Sequence, residues 1–402
     1  MTAATLAAVP SAPLAFDDLR RRVADGARLD APALLALLRW PDPLDLAELA
    51  ALARYRHNPG PVVTFVIDTN PNYTNVCDTD CTFCAFYRPP GHPEAYTLTP
   101  AEVVARARAA AARGARTMLL QGGHNPALPL AYYVELVTRL RADVPDVHPH
   151  FFSPSELAAL ARYEGIPVRR VLEALWAAGQ RTLPGGGAEI LTARARRRVA
   201  PKKGGPEAWL DVMREAHRVG FRTTATMMYG HVEEDEDVVE HLVRLRTLQD
   251  ETGGFLAFIP WSFKPGATPL ARHLEHVGRV PDAPTRYLRI LALARLALDN
   301  VPHVQASWFS EGVKAGQLGL HFGADDFGGT LIEENVLRAA RHDNRTTTDD
   351  VISTIREAGF VPAERTTLYD IVRVFAPAGD GARAAPEERH DDQAASAHRP
   401  LA

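Results

Sequence analysis

Cysteine is scarce in this chain: three residues in 402, too few for a disulfide framework. Lysine is nearly as rare, with Lys202, Lys203, Lys264 and Lys314 the only four among 45 basic residues. Together with abundant Ala this reads as a coding bias, so an Ala/Arg run such as 105–113 carries little functional information. No run of 18 apolar residues occurs, so no spanning helix is expected. The first Arg is Arg20, so the start lacks the charged leader of a secretory signal, and a cytoplasmic protein is expected. An excess of positive charge is lacking too. The 45 basic and 49 acidic side chains give a net charge of −4, which argues against nucleic acid or an anionic membrane as partner. With 46% hydrophobic and 23% charged residues, the composition is that of a folded globular protein.

Residues 1–14 are small and apolar without periodicity and read as a loose leader. Residues 15–60 show helical patterning, as in Leu34, Leu35, Leu37 and Leu38, and form a helical cap. From there the pattern alternates. VVTFVIDT (62–69), TMLLQ (117–121), VHPHFF (147–152), RTLPGGG (181–187), FRTTATMMYG (221–230), FLAFIP (255–260), VQASW (304–308) and QLGLHFG (317–323) read as strands, with helices over 100–113, 129–143, 234–252 and 284–300 between them. Strands alternating with helices imply parallel strands and right-handed crossovers. Seven or eight such units suit a TIM-type (β/α) barrel, about 250 residues in its usual form, here placed at 61–330. A doubly wound sheet is the alternative, but no Gly-x-Gly-x-x-Gly follows the first strand. Residues 331–375 are expected to be a helical extension. Residues 376–402 have no aromatic residue and are expected to be a disordered tail.

All three cysteines fall within eight residues, Cys77-Asp78-Thr79-Asp80-Cys81-Thr82-Phe83-Cys84, spaced C-x3-C-x2-C. Three readings compete. Buried thiols could act as small hydrophobes, but Asp78, Thr79, Asp80 and Thr82 are poor company for a core helix. A zinc site needs a fourth ligand, His57 or His92, and this spacing is uncommon for zinc. An iron–sulfur cluster held by three thiolates leaves one iron without a protein ligand. The spacing, the confinement of every cysteine to one loop and its position after the first strand favour the third.

Other strand ends carry polar groups among glycines. Gln121-Gly122-Gly123-His124 follows the second strand. Ser153 and Glu156 follow the third, where a capping box is at least as good a reading as a ligand contact. Gly185-Gly186-Gly187 lets a backbone approach a ligand closely, with Glu189 aimed into the same mouth. His231 and Glu233 end the fifth strand, and Asp325 and Asp326 sit in a glycine-rich segment further on; these four are candidate bases. Phe258, Pro260, Trp261 and Phe263 are candidates for an apolar wall.

The cysteine motif, with Phe83 at its aromatic position, resembles that of the radical S-adenosylmethionine superfamily. Several longer strings resemble one group within it, the cyclic dehypoxanthine futalosine synthases of the futalosine route to menaquinone: TNVCDTDCTFCAFYR (74–88), QGGHNP (121–126), LPGGGAEIL (183–191), TTATMMYGHVE (223–233), DETGGFLAFIPWSFKPG (250–266), QASW (305–308) and LHFGADDFGGTLIEENV (320–336). The resemblance implies a [4Fe–4S] cluster on Cys77, Cys81 and Cys84. It also implies S-adenosyl-L-methionine contacted by Phe83, Gln121, Gly122, Gly123, Ser153, Glu156, Gly187 and Glu189. His124 stands where the group at large often has Glu. The implied reaction is a ring closure of dehypoxanthine futalosine: a 5′-deoxyadenosyl radical removes the C4′ hydrogen of a sugar, the carbon radical attacks a benzoate ring, and one electron and one proton are lost. His231, Glu233, Asp325 and Asp326 would be candidate bases, and Arg222, Arg88 and Lys264 candidate partners for the benzoate carboxylate. A low-potential donor such as flavodoxin or ferredoxin would supply the electron. Aminofutalosine synthase and the deazaflavin-forming enzymes share the motif; outside the class, a non-catalytic iron–sulfur or zinc protein is the alternative.

Overall fold

The protein is described from a computed structural model covering residues 15–278 and 284–375. The leader and tail expected at 1–14 and 376–402 lie outside the described residues.

Three helices, Phe16–Ala24, Ala31–Leu38 and Pro43–His57, form the N-terminal cap. Asp30 and Asp42 accept from the backbone N–H groups of Ala33 and Leu44, and each helix so capped has Pro in its first turn. Leu34, Leu37, Leu46 and Leu49 are buried. The buried Arg54 ties the cap to the body, donating to the carbonyls of Ala324, Gly60 and Val62.

The strands are β1 (Val62–Val66), β2 (Asp68–Thr69), β3 (Thr117–Leu120), β4 (His148–Phe151), β5 (Thr182–Leu183), β6 (Arg222–Tyr229), β7 (Phe255–Ser262), β8 (His303–Val304), β9 (Asp326–Gly329), β10 (Val361–Arg365) and β11 (Ile371–Val374). β2 to β8 form a seven-stranded sheet in sequence order, parallel throughout. The remaining strands form a second sheet, β11-β10-β1-β9, in which β1 pairs parallel with both β9 and β10. A parallel bridge from Gln305 to Asp326 joins the end of β8 to β9, and β1 runs into β2 through Ile67. The curled sheet is thus led back to its start, in the TIM-type α/β arrangement.

Four expectations change. The run 62–69 is two strands, because its halves serve different neighbours: β1 pairs with β9 and β10, β2 with β3. Residues 317–323 are the end of the helix Val313–Gly319 and a 3-10 turn, not a strand. Their glycines serve close packing: a Cβ on Gly319 would overlap Leu291 and Tyr287, and one on Gly323 would overlap Arg295. The strand at 304–308 shortens to β8, and Trp308 opens a helical turn. The segment 331–375 is only partly helical, with helices Val336–Ala339 and Thr348–Glu357 followed by β10 and β11.

Candidate active site

A cavity of about 350 Å³ lies within the curled sheet. Cys77, Cys81, Phe83 and Cys84 line one end of it. All three thiols are free, Cys77 and Cys81 buried and Cys84 half-buried. Their loop has little regular structure and is held by backbone hydrogen bonds: Cys77 N–H to Arg88 O at 2.9 Å, Asp78 N–H to His124 O at 3.2 Å and Thr82 N–H to Val199 O at 3.0 Å. Burial pushes the Cys81 thiol up to about 12 and the Cys84 thiol up as well, so without a bound cation these are neutral thiols.

The Gly-Gly pair after β3 lies flat against this loop. A Cβ on Gly123 would overlap the Val76 carbonyl and Cys77, so only glycine allows the two segments to touch. Gly122 donates its N–H to Glu156 Oε1 at 3.0 Å. The same carboxylate accepts from the Tyr73 hydroxyl at 2.8 Å and, through Oε2, from the N–H and hydroxyl of Ser153 at 2.8 and 2.6 Å. Ser153 and Glu156 therefore form the capping box of the helix Pro154–Glu164 while also lining the cavity. Gln121, Gly122 and Gly123 line it beside them, as does Gly187, whose φ of +80° suits glycine and whose Cβ would overlap Ser155. Glu189 takes an ion pair from Lys203 at 2.7 Å, and that ammonium stands 5.5 Å from the centre of the Phe83 ring. His124 shares a 2.7 Å hydrogen bond with Thr79, and burial lowers it to about 3, a neutral imidazole.

The candidate bases are not in the cavity. His231 is fully buried with its nitrogens engaged by the Met228 carbonyl and the Val232 N–H. Glu233 accepts from the N–H groups of Gly230 and His231. Both carboxyl and imidazole serve the turn after β6. Asp325 precedes β9 at its N-terminal end, bonded to His303, Asn58 and the Val304 N–H. Asp326 is held bidentately by Arg365 and also accepts from Thr64. Arg222 starts β6 and caps Gly253, Arg88 pairs with Glu94, and Lys264 donates to Ser262 at 2.7 Å; none of the three lines the cavity wall.

Other residues occupy the end of the cavity away from the cysteines: Asp68, Thr117, His150, Thr224, Gln305, Arg365, Thr367 and Tyr369. Asp68 carried a usable signal, a lone acid closing an apolar strand run. Arg365, Thr367 and Tyr369 carried none, because a turn brought in from the far end of the chain places them. Arg365 lies over the Tyr369 ring at 3.8 Å, and that ring stacks on His303 at 3.9 Å. Lys203 was legible only as one of four lysines.

The donor set is selective about what it can hold. Among the described residues no group of three or more His, Cys, Asp or Glu side chains is placed to hold a single metal ion. His57 and His92, the candidate fourth zinc ligands, do not line the cavity. An iron–sulfur cube takes each thiolate on a separate iron, so three thiols distributed along one loop, facing a common cavity, fit a cluster better than zinc.

Residues 71–245 match the radical SAM superfamily, and residues 252–377 the CofH/MqnC C-terminal region. A cyclic dehypoxanthine futalosine synthase of Halalkalibacterium halodurans is 40% identical over 90% of this chain and 96% of its own length. The chain belongs to the radical S-adenosylmethionine superfamily. Within it, a 5-amino-6-(D-ribitylamino)uracil–L-tyrosine 4-hydroxyphenyl transferase of Methanopyrus kandleri is 40% identical over 90% of this chain and 98% of that protein. An aminodeoxyfutalosine synthase of Thermus thermophilus is 39% identical over 89% and 96%. The crystal structure of methylornithine synthase shares the fold, with a TM-score of 0.68 over 86% of this chain and 97% of that one at 19% identity. This is a radical SAM enzyme.

Proposed function

We propose that this radical SAM enzyme closes the ring of dehypoxanthine futalosine, giving the cyclic product on the futalosine route to menaquinone. Cys77, Cys81 and Cys84 would hold a [4Fe–4S] cluster, and the backbone of Gln121, Gly122, Gly123 and Gly187 would receive S-adenosylmethionine beside it. Together these groups, when bound, supply a 5′-deoxyadenosyl radical able to take hydrogen from an unactivated carbon. Glu156, saturated by four donors, positions the Gly122 backbone rather than touching the cofactor.

The mixed lining of the cavity, polar and apolar, supports the choice of substrate. Thr117, Thr224, Thr226, Gln305 and Thr367 offer neutral hydroxyl and amide groups, and Ile259, Trp261, Phe309, Leu331, Val336 and Leu337 form an apolar wall. A sugar joined to an aromatic acid matches that combination of hydroxyl-bearing and apolar side chains.

The test is anaerobic turnover with substrate deuterated at C4′. Free 5′-deoxyadenosine carrying deuterium, with a product two hydrogens lighter than unlabelled substrate, supports the cyclase. A product that retains the adenosyl group would be that of an aminofutalosine synthase and overturns it.

A further inference from the structure

The ring closure ends with a proton to be removed, and the residues first suited to that task by their sequence position are outside the cavity. Among the carboxylates that do line it, Glu156 is saturated, Glu334 accepts from the N–H groups of Val336 and Leu337, and Glu189 is paired with Lys203. Asp68 differs. Its Oδ1 accepts from the Leu331 N–H at 2.8 Å, and among the described residues no side chain donates to this carboxylate. The carboxylate packs against Gly329, where any Cβ would overlap it, so only glycine leaves room for it there. Asp68 is 6% exposed and stands at the cavity end that also holds the neutral hydroxyl groups.

We propose that Asp68 is the proton acceptor of the ring-closing reaction; this rests on the cyclase reading above. The sugar carbon radical forms a bond to a ring carbon that still bears hydrogen. One electron would then leave to a one-electron acceptor of the iron–sulfur class. The C–H proton passes to Asp68 Oδ2, and the C–H electron pair stays in the ring and restores its aromaticity.

The surroundings suit the task. Burial raises Asp68 to about 6, with Leu331 N–H and Arg365 opposing and Asp326 adding to the rise. Arg365 is already committed to Asp326, so it tempers the Asp68 charge without capturing it. His150 and Tyr369 also line the cavity, and burial keeps both neutral, the imidazole lowered to about 3 and the phenol raised well above its ordinary range. A base ionised just below neutral pH is well matched to general-base catalysis.

The experiment follows two products of single turnovers with C4′-deuterated substrate in wild type, Asp68→Asn and Asp68→Glu, with circular dichroism and iron content confirming folded, loaded protein. Wild type forms labelled 5′-deoxyadenosine and cyclised product in equal amounts, and the product limb rises with pH through about 6. Asp68→Asn is expected to form labelled 5′-deoxyadenosine still, with cyclised product per deoxyadenosine down on the order of 100-fold and the pH limb gone. Asp68→Glu, which keeps a carboxylate, recovers part of the product. An unchanged product-to-deoxyadenosine ratio in Asp68→Asn, or equal ratios in the Asn and Glu variants, overturns the assignment. Absence of labelled deoxyadenosine from wild type itself would instead overturn the cyclase reading.

Discussion

The two ends of the cavity are held together by different forces. The cysteine end is a loop fastened by main-chain hydrogen bonds and by glycines that let segments touch, with thiols kept neutral by burial. The opposite end is an ionic and aromatic lattice: Arg365 clamps Asp326 through two nitrogens, covers Tyr369, and Tyr369 stacks on His303. The first end is complete only when it receives a cofactor. The second is complete in the protein alone. Cofactor loading and stability should therefore separate along the length of one cavity.

Breaking the first end should abolish chemistry with little effect on the fold. Each of Cys77→Ala, Cys81→Ala and Cys84→Ala is expected to lose the four-iron cluster, read by iron content and the visible absorption band, and all turnover, while circular dichroism stays that of wild type. A Cys81→Ala variant with full iron and turnover would remove the ligand assignment. Gly123→Ala, by pushing the Val76 carbonyl and Cys77 aside, should lower iron content almost as far.

Breaking the second end should do the reverse. Arg365→Met leaves Asp326 buried without its cation, a change that costs about 3–5 kcal/mol. Chemical denaturation should show that loss, and protein purified at low temperature should still take up iron.

A smaller effect concerns Asp68. Its value of about 6 lies above the ordinary 3.8, so between these pH values the native state binds more protons than the unfolded chain. Stability then falls as pH rises through that window and stays lower above it. Asp68→Asn should match wild type near pH 4 and be more stable by about 2–3 kcal/mol at pH 7. Unfolding midpoints that differ equally at both pH values would contradict this. The smallest effect is expected outside the cavity: Arg28, exposed and bridging Asp250 and Asp299, should cost about 1 kcal/mol or less when changed to Ala.

The same division explains what could be read from residues alone. The cysteine loop, the Gly-Gly pair and the alternating strands are local patterns; the fold class was legible from them, and they led to the cluster reading proposed above. His231 and Asp325 misled because polar residues near strand termini also serve turns; position along the chain does not say whether an imidazole faces inward or satisfies a carbonyl. QLGLHFG misled because glycines that punctuate a strand also let a helix lie close on Leu291 and Tyr287. Arg365, Thr367 and Tyr369 were out of reach, since their place depends on β10 pairing with β1 rather than on any neighbour in sequence.

That last pairing has a consequence for how the chain is made. β1 is among the first strands to leave the ribosome and β10 among the last, yet Val62 is in register with Val361. During synthesis, both edges of β1 must wait, their N–H and C=O groups unmatched, until almost every other strand exists. An open edge beside an apolar face invites pairing with other chains. A nascent chain arrested before residue 361 should therefore be the form most dependent on chaperones, and release of the final strand should be the event that ends that dependence.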